Sequence, residues 1–396
     1  MAQSTISLKN RACIVGLGST EFTRNAGRSE IHLAVDAAMA ACADAGIQSE
    51  QIDGCVRFGT AGATAIEFAT ESDVARCLGI PNLRYFVEAP WGGGACCATI
   101  MHAAAAVALG LANYVLCFRA IRAASGMMRY GRPANIPIDS HWSMTMPYGF
   151  QSPTSWVAMF TRRWMYETGA TREQLGAVAI VSRENAIRNP RAMFYGRPLT
   201  MPEYLGSPML CDPFTLHDTC LENDGAVALI VTTPERAKDL KQAPAYVAGV
   251  GEATGWDSYC MTSFYRPEIG IPEMEETGKD LFRMADMKPS DIQVAQFYDA
   301  FTSLVPMQLE ALGFVKKGEG GPFCEGGERI RPTGQLPINT AGGMLSESYI
   351  HGMNGIAEGV RQIRGTSTTQ IKGAERVLVT GGLGVPTSAL ILTKGK

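Results

Sequence analysis

Charge is scarce in this chain of 396 residues: Asp, Glu, Lys and Arg together make up 18%, against about a quarter in an average domain. No run of five or more like charges occurs, and no low-complexity tract. With a net charge of −3 and a pI near 6.0, the chain offers no electrostatic case for nucleic acid or an anionic membrane. Eleven cysteines are present, yet none forms a CxxC or CxxH pair, which speaks against zinc and leaves no metal site to predict. A long apolar run is missing too. The best stretch, "HAAAAVALGLANYVLCF", is broken by Gly110 and Asn113 and reads as helix, turn and strand rather than a membrane span. The opening "MAQSTISLKNRAC" lacks the apolar core of a signal peptide, so the expectation is free thiols in a reducing cytoplasm.

What is present is core and repetition. Hydrophobic residues make up 46% of the chain, enough for a large globular core. "ACIVGLGSTEFT" (Ala12 to Thr23) resembles "AYVAGVGEATGW" (Ala245 to Trp256): each is a short strand followed by Gly-x-Gly, Gly16/Gly18 and Gly249/Gly251. Next come "AGIQSEQIDGCVRFG" from Ala45 and "ADMKPSDIQVAQFYD" from Ala285, each running from a helix end into a strand. A third pair opens on Gly-rich turns, from Gly92 in one copy and Gly342 in the other, and continues through a helix into a β-branched strand. Alternating strand and helix signals predict crossover units and largely parallel sheets. The repeat predicts two pseudo-symmetric α/β halves, 1–243 and 244–396, split near Gln242–Pro244. An insertion at about 120–206, rich in Met, Tyr, Trp and Pro, hangs from the first half. It suits an apolar binding wall, or a surface excursion packed on itself.

A dinucleotide site fails on context. "GLGSTEF" has no third glycine, and no acidic residue follows a second strand. A different feature carries chemistry. In "QVAQFYDAFTSLVPMQLEALGF" a strand gives way to a helix with Tyr298 and Asp299 at the turn, the end of a strand where α/β proteins place their sites.

The repeat, the Gly-rich turns and the strand-end polar residues together resemble the thiolase superfamily, in its sterol-carrier-protein-type, lipid-transfer-like branch. The resemblance spans nearly the whole chain, through "ACIVGLGSTEF", "DAAMAACADAGI", "CLENDGAVALIVTT" (Cys220 to Thr233), "YDAF" at Tyr298 and "INTAGGMLSESYIHGMNG" (Ile338 to Gly355). It implies a five-layer αβαβα fold built from two similar halves, and a dimer. Family catalysis rests on a nucleophilic Cys, a His or Asn in HDxF/NExF, a His in GHPxG and a Gly-rich loop near the C-terminus. Counted back from "GLAN", the nucleophile position here falls on Gly93. Tyr298 stands at the first histidine position and Tyr349 at the second, while Gly342, Gly343, Ser346, Gly352 and Gly355 keep the pattern.

Without the cysteine, Claisen chemistry through an acyl-enzyme is lost. Two tyrosines for two histidines resemble the steroid side-chain aldolases of this branch, which cleave a β-hydroxyacyl-CoA and work with a separate zinc-ribbon/OB-fold protein. The resemblance implies a ketone and a short acyl-CoA, propionyl-CoA or acetyl-CoA, as products. The CoA thioester is then substrate, and no further cofactor is expected. Retro-aldol cleavage needs a base, an acid and donors for an enolate oxygen. Tyr298 and Tyr349 are the candidates for the first two, in either assignment. A free phenol titrates near 10, so a tyrosine base requires a cation, a relay or an aligned dipole. His351 is the candidate helper, and Asp299 supports the turn. Gly93, Gly343, Gly382 and Gly384 are candidates for an oxyanion and substrate loop, with tight turns the structural alternative for Gly343 and Gly382. His32, His102 and His217 read as scaffolding, His141 as a possible substrate contact, and Cys220 as inert. Two rival readings stay open. Cys96 or Cys97, in the first turn of a helix, would make this a thiolase or acyltransferase. A non-catalytic acyl-CoA-binding or lipid-transfer subunit is the other.

Overall fold

The computed structural model describes residues 7–59, 69–89, 93–126, 146–150, 152–255, 266–382 and 387–395. Strand β1 (Cys13–Ser19) leads through helix α1 (Glu30–Ala45) to β2 (Gly54–Phe58), α2 (Glu71–Cys77) and β3 (Tyr85–Ala89). Helix α3 (Ala95–Ala108) and β4 (Val115–Arg122) follow. A long excursion then carries α4 (Pro153–Thr168), α5 (Arg172–Ala186), α6 (Met201–Gly206) and a small ribbon of β5 (Met209–Cys211) and β6 (Phe214–Thr215). The chain returns as β7 (Asp224–Thr232) and α7 (Pro234–Ala237). Beyond it lie β8 (Ala245–Ala253), α8 (Pro272–Ala285), β9 (Val294–Gln296), α9 (Leu304–Ala311) and α10 (Gly320–Cys324). The last elements are α11 (Gly343–Ser346), α12 (Met353–Arg364), β10 (Arg376–Gly381) and β11 (Thr387–Thr393).

The large sheet has the order β3-β2-β4-β7-β1-β8-β11-β10-β9. Reading outward from the short β1–β8 contact, β7, β4 and β2 on one side answer β11, β10 and β9 on the other. The pairing directions match as well. β2–β4 and β9–β10 are parallel, whereas β4–β7, β10–β11, β1–β7 and β8–β11 are antiparallel. The expectation of largely parallel sheets is therefore corrected to a mixed sheet. Only a short connection separates β10 from β11, which suits an antiparallel pair and leaves no room for a crossover helix. β7 enters from the excursion, not from a crossover helix.

Alternate residues along each strand feed different layers. On β4, Val115 and Cys117 join the cluster that contains α3 and α12, while Leu116 and Phe118 join the one around α1. On β10, Val377 and Val379 face that same central cluster and Leu378 faces the cluster around α8. Helices α3 and α12 thus lie between the two sheet halves, with α1 and α8 outside, giving five layers. Helix α3 is apolar nearly all round, as a helix with sheet on both sides must be.

The two Gly-x-Gly motifs are explained by this packing. A Cβ at Gly16 or Gly18 would lie 2.4 and 2.0 Å from the carbonyl oxygens of Ala41 and Ala37 on α1. At Gly249 and Gly251 the same atom would lie 2.6 and 2.5 Å from those of Leu281 and Thr277 on α8. Each pair lets one outer helix settle against its strand backbone. Gly18→Ala and Gly251→Ala are each expected to cost about 1–3 kcal/mol by overpacking. Calorimetry should show a fall of several degrees, with no change for Gly206→Ala, where a Cβ meets nothing within 4 Å.

The excursion leaves the first half but packs on the second. Val157, Phe160 and Trp164 of α4 and Leu175, Val178 and Val181 of α5 share one cluster with Leu304, Val305, Phe323 and Ile338. Its Met- and Pro-rich stretch 127–145, with His141, lies outside the described residues. Among the described residues, no helix is long and apolar enough to cross a membrane, and the cysteines are free thiols.

Candidate active site

β9 delivers Tyr298 to the edge of the central layer, and its backbone is held at both ends. The Tyr298 N–H donates to Thr380 Oγ1 at 2.9 Å, and its carbonyl accepts from Gln308 Nε2 at 2.8 Å. Tyr349 follows α11, and its N–H donates to Asn223 Oδ1 at 2.6 Å. These anchors bring together side chains 51 residues apart: the two phenolic oxygens lie 3.2 Å from each other. Both rings are buried, 5% and 6% exposed, so the hydrogen bond between them is shielded from competing water.

Gly93 sits against this pair. A Cβ there would lie 2.0 Å from Tyr298 Cζ and 2.1 Å from its hydroxyl oxygen. A nucleophilic side chain at 93 and a tyrosine at 298 are mutually exclusive in this backbone. The phenol occupies the space that a side chain at 93 would fill.

Asp299, beside Tyr298, accepts the Met344 N–H on Oδ1 at 2.7 Å. It fastens α11 to the end of β9, as expected for a turn support. Burial pushes its carboxyl up to about 7, against hydrogen bonds from Met344, Asn339 and Leu345 that pull it down. Because the folded pKa lies above the unfolded value near 4, the folded chain binds this proton more tightly. Stability from this group is therefore lost as pH rises from about 4 towards about 7. Asp299→Asn keeps the acceptor oxygen and cannot ionise. Its melting temperature relative to the native chain is expected to climb across that interval and then level off, as read by scanning fluorimetry from pH 4 to 8.

His351 lies two residues beyond Tyr349, in a left-handed backbone conformation with φ of 51°. Its ring meets that of Tyr349 at 4.5 Å between centroids and stacks on Phe58 at 5.2 Å. Burial, reinforced by the Arg119 guanidinium, holds its pKa well below the ordinary histidine range. That shift favours the neutral imidazole over a cation beside the tyrosines. The positive charge nearby belongs to Arg119, a 4% exposed residue on β4. Its Nη1 donates to the Phe58 carbonyl at 3.2 Å, and its guanidinium stands 5.1 Å from the Phe58 ring centroid.

The remaining candidates separate clearly. Gly343 has φ of 61° and opens α11, where a Cβ would lie 2.1 Å from Asp299 Oδ2; the turn itself requires glycine. Gly382 has φ of 84° just beyond β10, and Gly384 lies outside the described residues. Cys96 is wholly buried on α3, with its thiol on the Thr380 carbonyl and Cys97 Sγ, both at 3.8 Å. Burial raises the Cys97 thiol well above the ordinary range. His32 Nδ1 pairs with the Ser29 cap at 2.7 Å, and burial holds the His217 pKa down. Burial likewise raises the Cys220 thiol. Residues that sequence reasoning missed are Asn223, Gln308, Thr380 and Arg119. Gln308 carried a signal, since it is the polar residue within the apolar run Leu304 to Leu309 of α9.

Two mirrored sheet halves around a shared helical layer, with a glycine against one of two paired tyrosines at their edge, define a thiolase-type fold and site. Residues 257–394 match the family described as Thiolase C-terminal domain-like. A 17-hydroxy-3-oxo-4-pregnene-20-carboxyl-CoA lyase of Mycobacterium tuberculosis is 46% identical over 394 residues, covering 97% of this chain and 100% of the relative. A steroid side-chain-cleaving aldolase of Thermomonospora curvata is 47% identical over 392 residues, covering 97% and 98%. A solved Ltp2-ChsH2(DUF35) aldolase superposes with a TM-score of 0.91 at 46% identity, over 98% of each chain. The chain belongs to the steroid side-chain-cleaving aldolases of the thiolase superfamily and is a carbon–carbon lyase.

Proposed function

We propose that this enzyme cleaves a bulky β-hydroxyacyl-CoA, with a steroid side chain the favoured acyl group, by retro-aldol reaction. The observation that carries this reading is the buried pair of phenolic oxygens 3.2 Å apart, set against a glycine where an attacking side chain would stand. One tyrosine takes the proton of the β-hydroxyl. The oxygen's electrons form the ketone as the carbon–carbon bond breaks, and the bond pair moves into the thioester as an enolate. The second tyrosine returns a proton to the α-carbon, giving the short acyl-CoA, propionyl-CoA or acetyl-CoA. Backbone N–H groups around Gly93 and Gly382 serve the enolate oxygen. The phenol-to-phenol hydrogen bond provides the relay that a tyrosine base requires. Catalysis by this route needs nothing beyond the protein and its CoA thioester.

The acyl group follows the relatives, whose names specify a steroid carboxyl-CoA and steroid side chains. The neighbouring aldolase is named together with a DUF35 protein, which supports a zinc-ribbon/OB-fold partner here. A homodimer is supported by β3, the edge strand beyond β2 among the described residues, whose Phe86 is 65% exposed; such an edge invites pairing with a second copy. The free thiols fit a cytoplasmic setting. The reading is tested by supplying the chain and its partner with β-hydroxyacyl-CoA thioesters of differing bulk and following short acyl-CoA by mass spectrometry. Release without added acetyl-CoA or CoA supports the lyase; dependence on either, with iodoacetamide labelling of Cys96, returns the thiolase reading.

A further inference from the structure

Glu347 is a buried carboxyl that the chemistry above does not use. It stands two residues before Tyr349 and is 1% exposed. Burial, with the neighbouring Glu358 carboxyl, pushes its pKa up to about 7, against Arg361, Asn354 and Arg191, which pull it down. A buried carboxyl is costly unless its oxygens find donors, so the donors around it show what it holds. They come from two different elements. Oε1 accepts from Asn189 Nδ2 at 3.2 Å, and Oε2 accepts from Asn354 Nδ2 at 3.3 Å. Arg361 Nη1 lies 3.9 Å from Oε1.

Asn354 lies in the first turn of α12, so its bond to Glu347 closes the two ends of the loop 347–354. Tyr349 and His351 sit on that loop. The backbone turns tightly there, with φ of 51° at His351 and 90° at Gly352. The other grip ties the loop to the excursion. Asn189, wholly buried just past α5, also donates to the Ala341 carbonyl at 3.1 Å. Asn185, four residues earlier, donates to the carbonyls of Ile338 and Asn339 at 3.1 and 3.2 Å. The Met193 N–H donates to the Glu347 carbonyl at 2.9 Å. The excursion therefore holds the stretch 338–347 of the second half, and Glu347 is where that hold meets the tyrosine loop.

We propose that Glu347 is a positioning residue for the carbon–carbon cleavage: joined to Asn189 and Asn354, its carboxyl fixes the loop that brings the Tyr349 hydroxyl to Tyr298. The proposal rests on the reading of the two tyrosines as acid and base. Glu347 acts through Tyr349 and not on the substrate. The two hydroxyls must stay within hydrogen-bond reach for a proton to pass, and a displacement of about 1 Å is enough to lose about 10²-fold in rate.

The test uses the full chain with its partner and follows short acyl-CoA release. Glu347→Ala is expected to lower kcat about 10²-fold and to leave KM within twofold. Arg361 keeps Glu358 at 3.8 Å and Asn189 keeps the Ala341 carbonyl, so neither loses its last partner in that variant. Glu347→Gln is expected to stay within threefold of the native chain. Its oxygen keeps the Asn189 bond, and its amide N–H meets Asn354 Oδ1 once the Asn354 amide turns over; that oxygen accepts no hydrogen bond among the described residues. Added to Tyr349→Phe, Glu347→Ala is expected to cost less than a further twofold, because the hydroxyl it positions is gone. Equal losses in the two backgrounds, an alanine variant within twofold of native, or a glutamine variant as slow as the alanine one overturns the proposal. If Tyr349→Phe turns over like the native chain, the tyrosine reading fails on its own, and ¹⁹F spectra with 3-fluorotyrosine in place of Tyr349 still decide the loop. A resonance that moves or splits in Glu347→Ala and returns in Glu347→Gln supports the positioning role, and one unchanged in Glu347→Ala overturns it.

Discussion

Replacing Tyr298 and Tyr349 together by phenylalanine is expected to lower short acyl-CoA release by about 10²–10⁴-fold, the usual worth of a positioned acid and base. The rings stay in place, so packing is preserved and the loss falls on kcat more than on KM. Each single phenylalanine is expected to cost nearly as much as the double. The two hydroxyls share one hydrogen bond at 3.2 Å and act as a unit, and residues that act as a unit are far from additive. Single-turnover measurements with the three variants read this directly. Turnover that survives the double substitution would remove the tyrosines from the mechanism and favour a chain that only binds acyl-CoA.

Gly93→Ala is expected to produce the next largest effect, because it adds one methyl group where there is no space. Its Cβ would lie 2.0 Å from Tyr298 Cζ, and no rotation of a methyl group relieves that approach. Either the loop or the ring must move, at about 1–3 kcal/mol in stability. Activity should drop by more than tenfold because the hydroxyl-to-hydroxyl contact is broken. Coupling to Tyr298 distinguishes this from general loop damage. Gly93→Ala combined with Tyr298→Phe retains the clash, whereas Gly93→Ala combined with Tyr298→Ala removes it. Melting temperature is thus expected to recover only in the second double variant, with an interaction energy of about 0.5–3 kcal/mol. Equal instability in both would show that the glycine serves the loop and not the ring.

The positions of Tyr298, Tyr349 and Gly93 were legible because each falls on a motif position of the thiolase resemblance, and the structure sets Tyr298 against both of the others. The support around them was not legible. Asn223, Gln308 and Thr380 lie on separate elements, and each holds a backbone group of a tyrosine through contacts with no fixed spacing along the chain. His351 is a different case. Proximity in sequence offered it as a helper without fixing its charge, and burial together with Arg119, from a strand far away in the chain, lowers its pKa. The sheet was misread for a related reason. Periodicity located the strands, yet the direction in which β7 and β11 pair depends on how the intervening segments return.

From the order of residues came the duplication, and from the resemblance it carries came a glycine at the nucleophile position and tyrosines at the two histidine positions. These are matters of identity and count, and they survive without coordinates. Tertiary structure alone decided that the two phenols touch, that Gly93 makes room for one of them, and that paired glycines seat α1 and α8 on their strands. It also decided which ionisable groups carry charge. Those properties depend on ångström-scale separation and on exclusion of water, and a linear chain specifies neither until distant segments pack together.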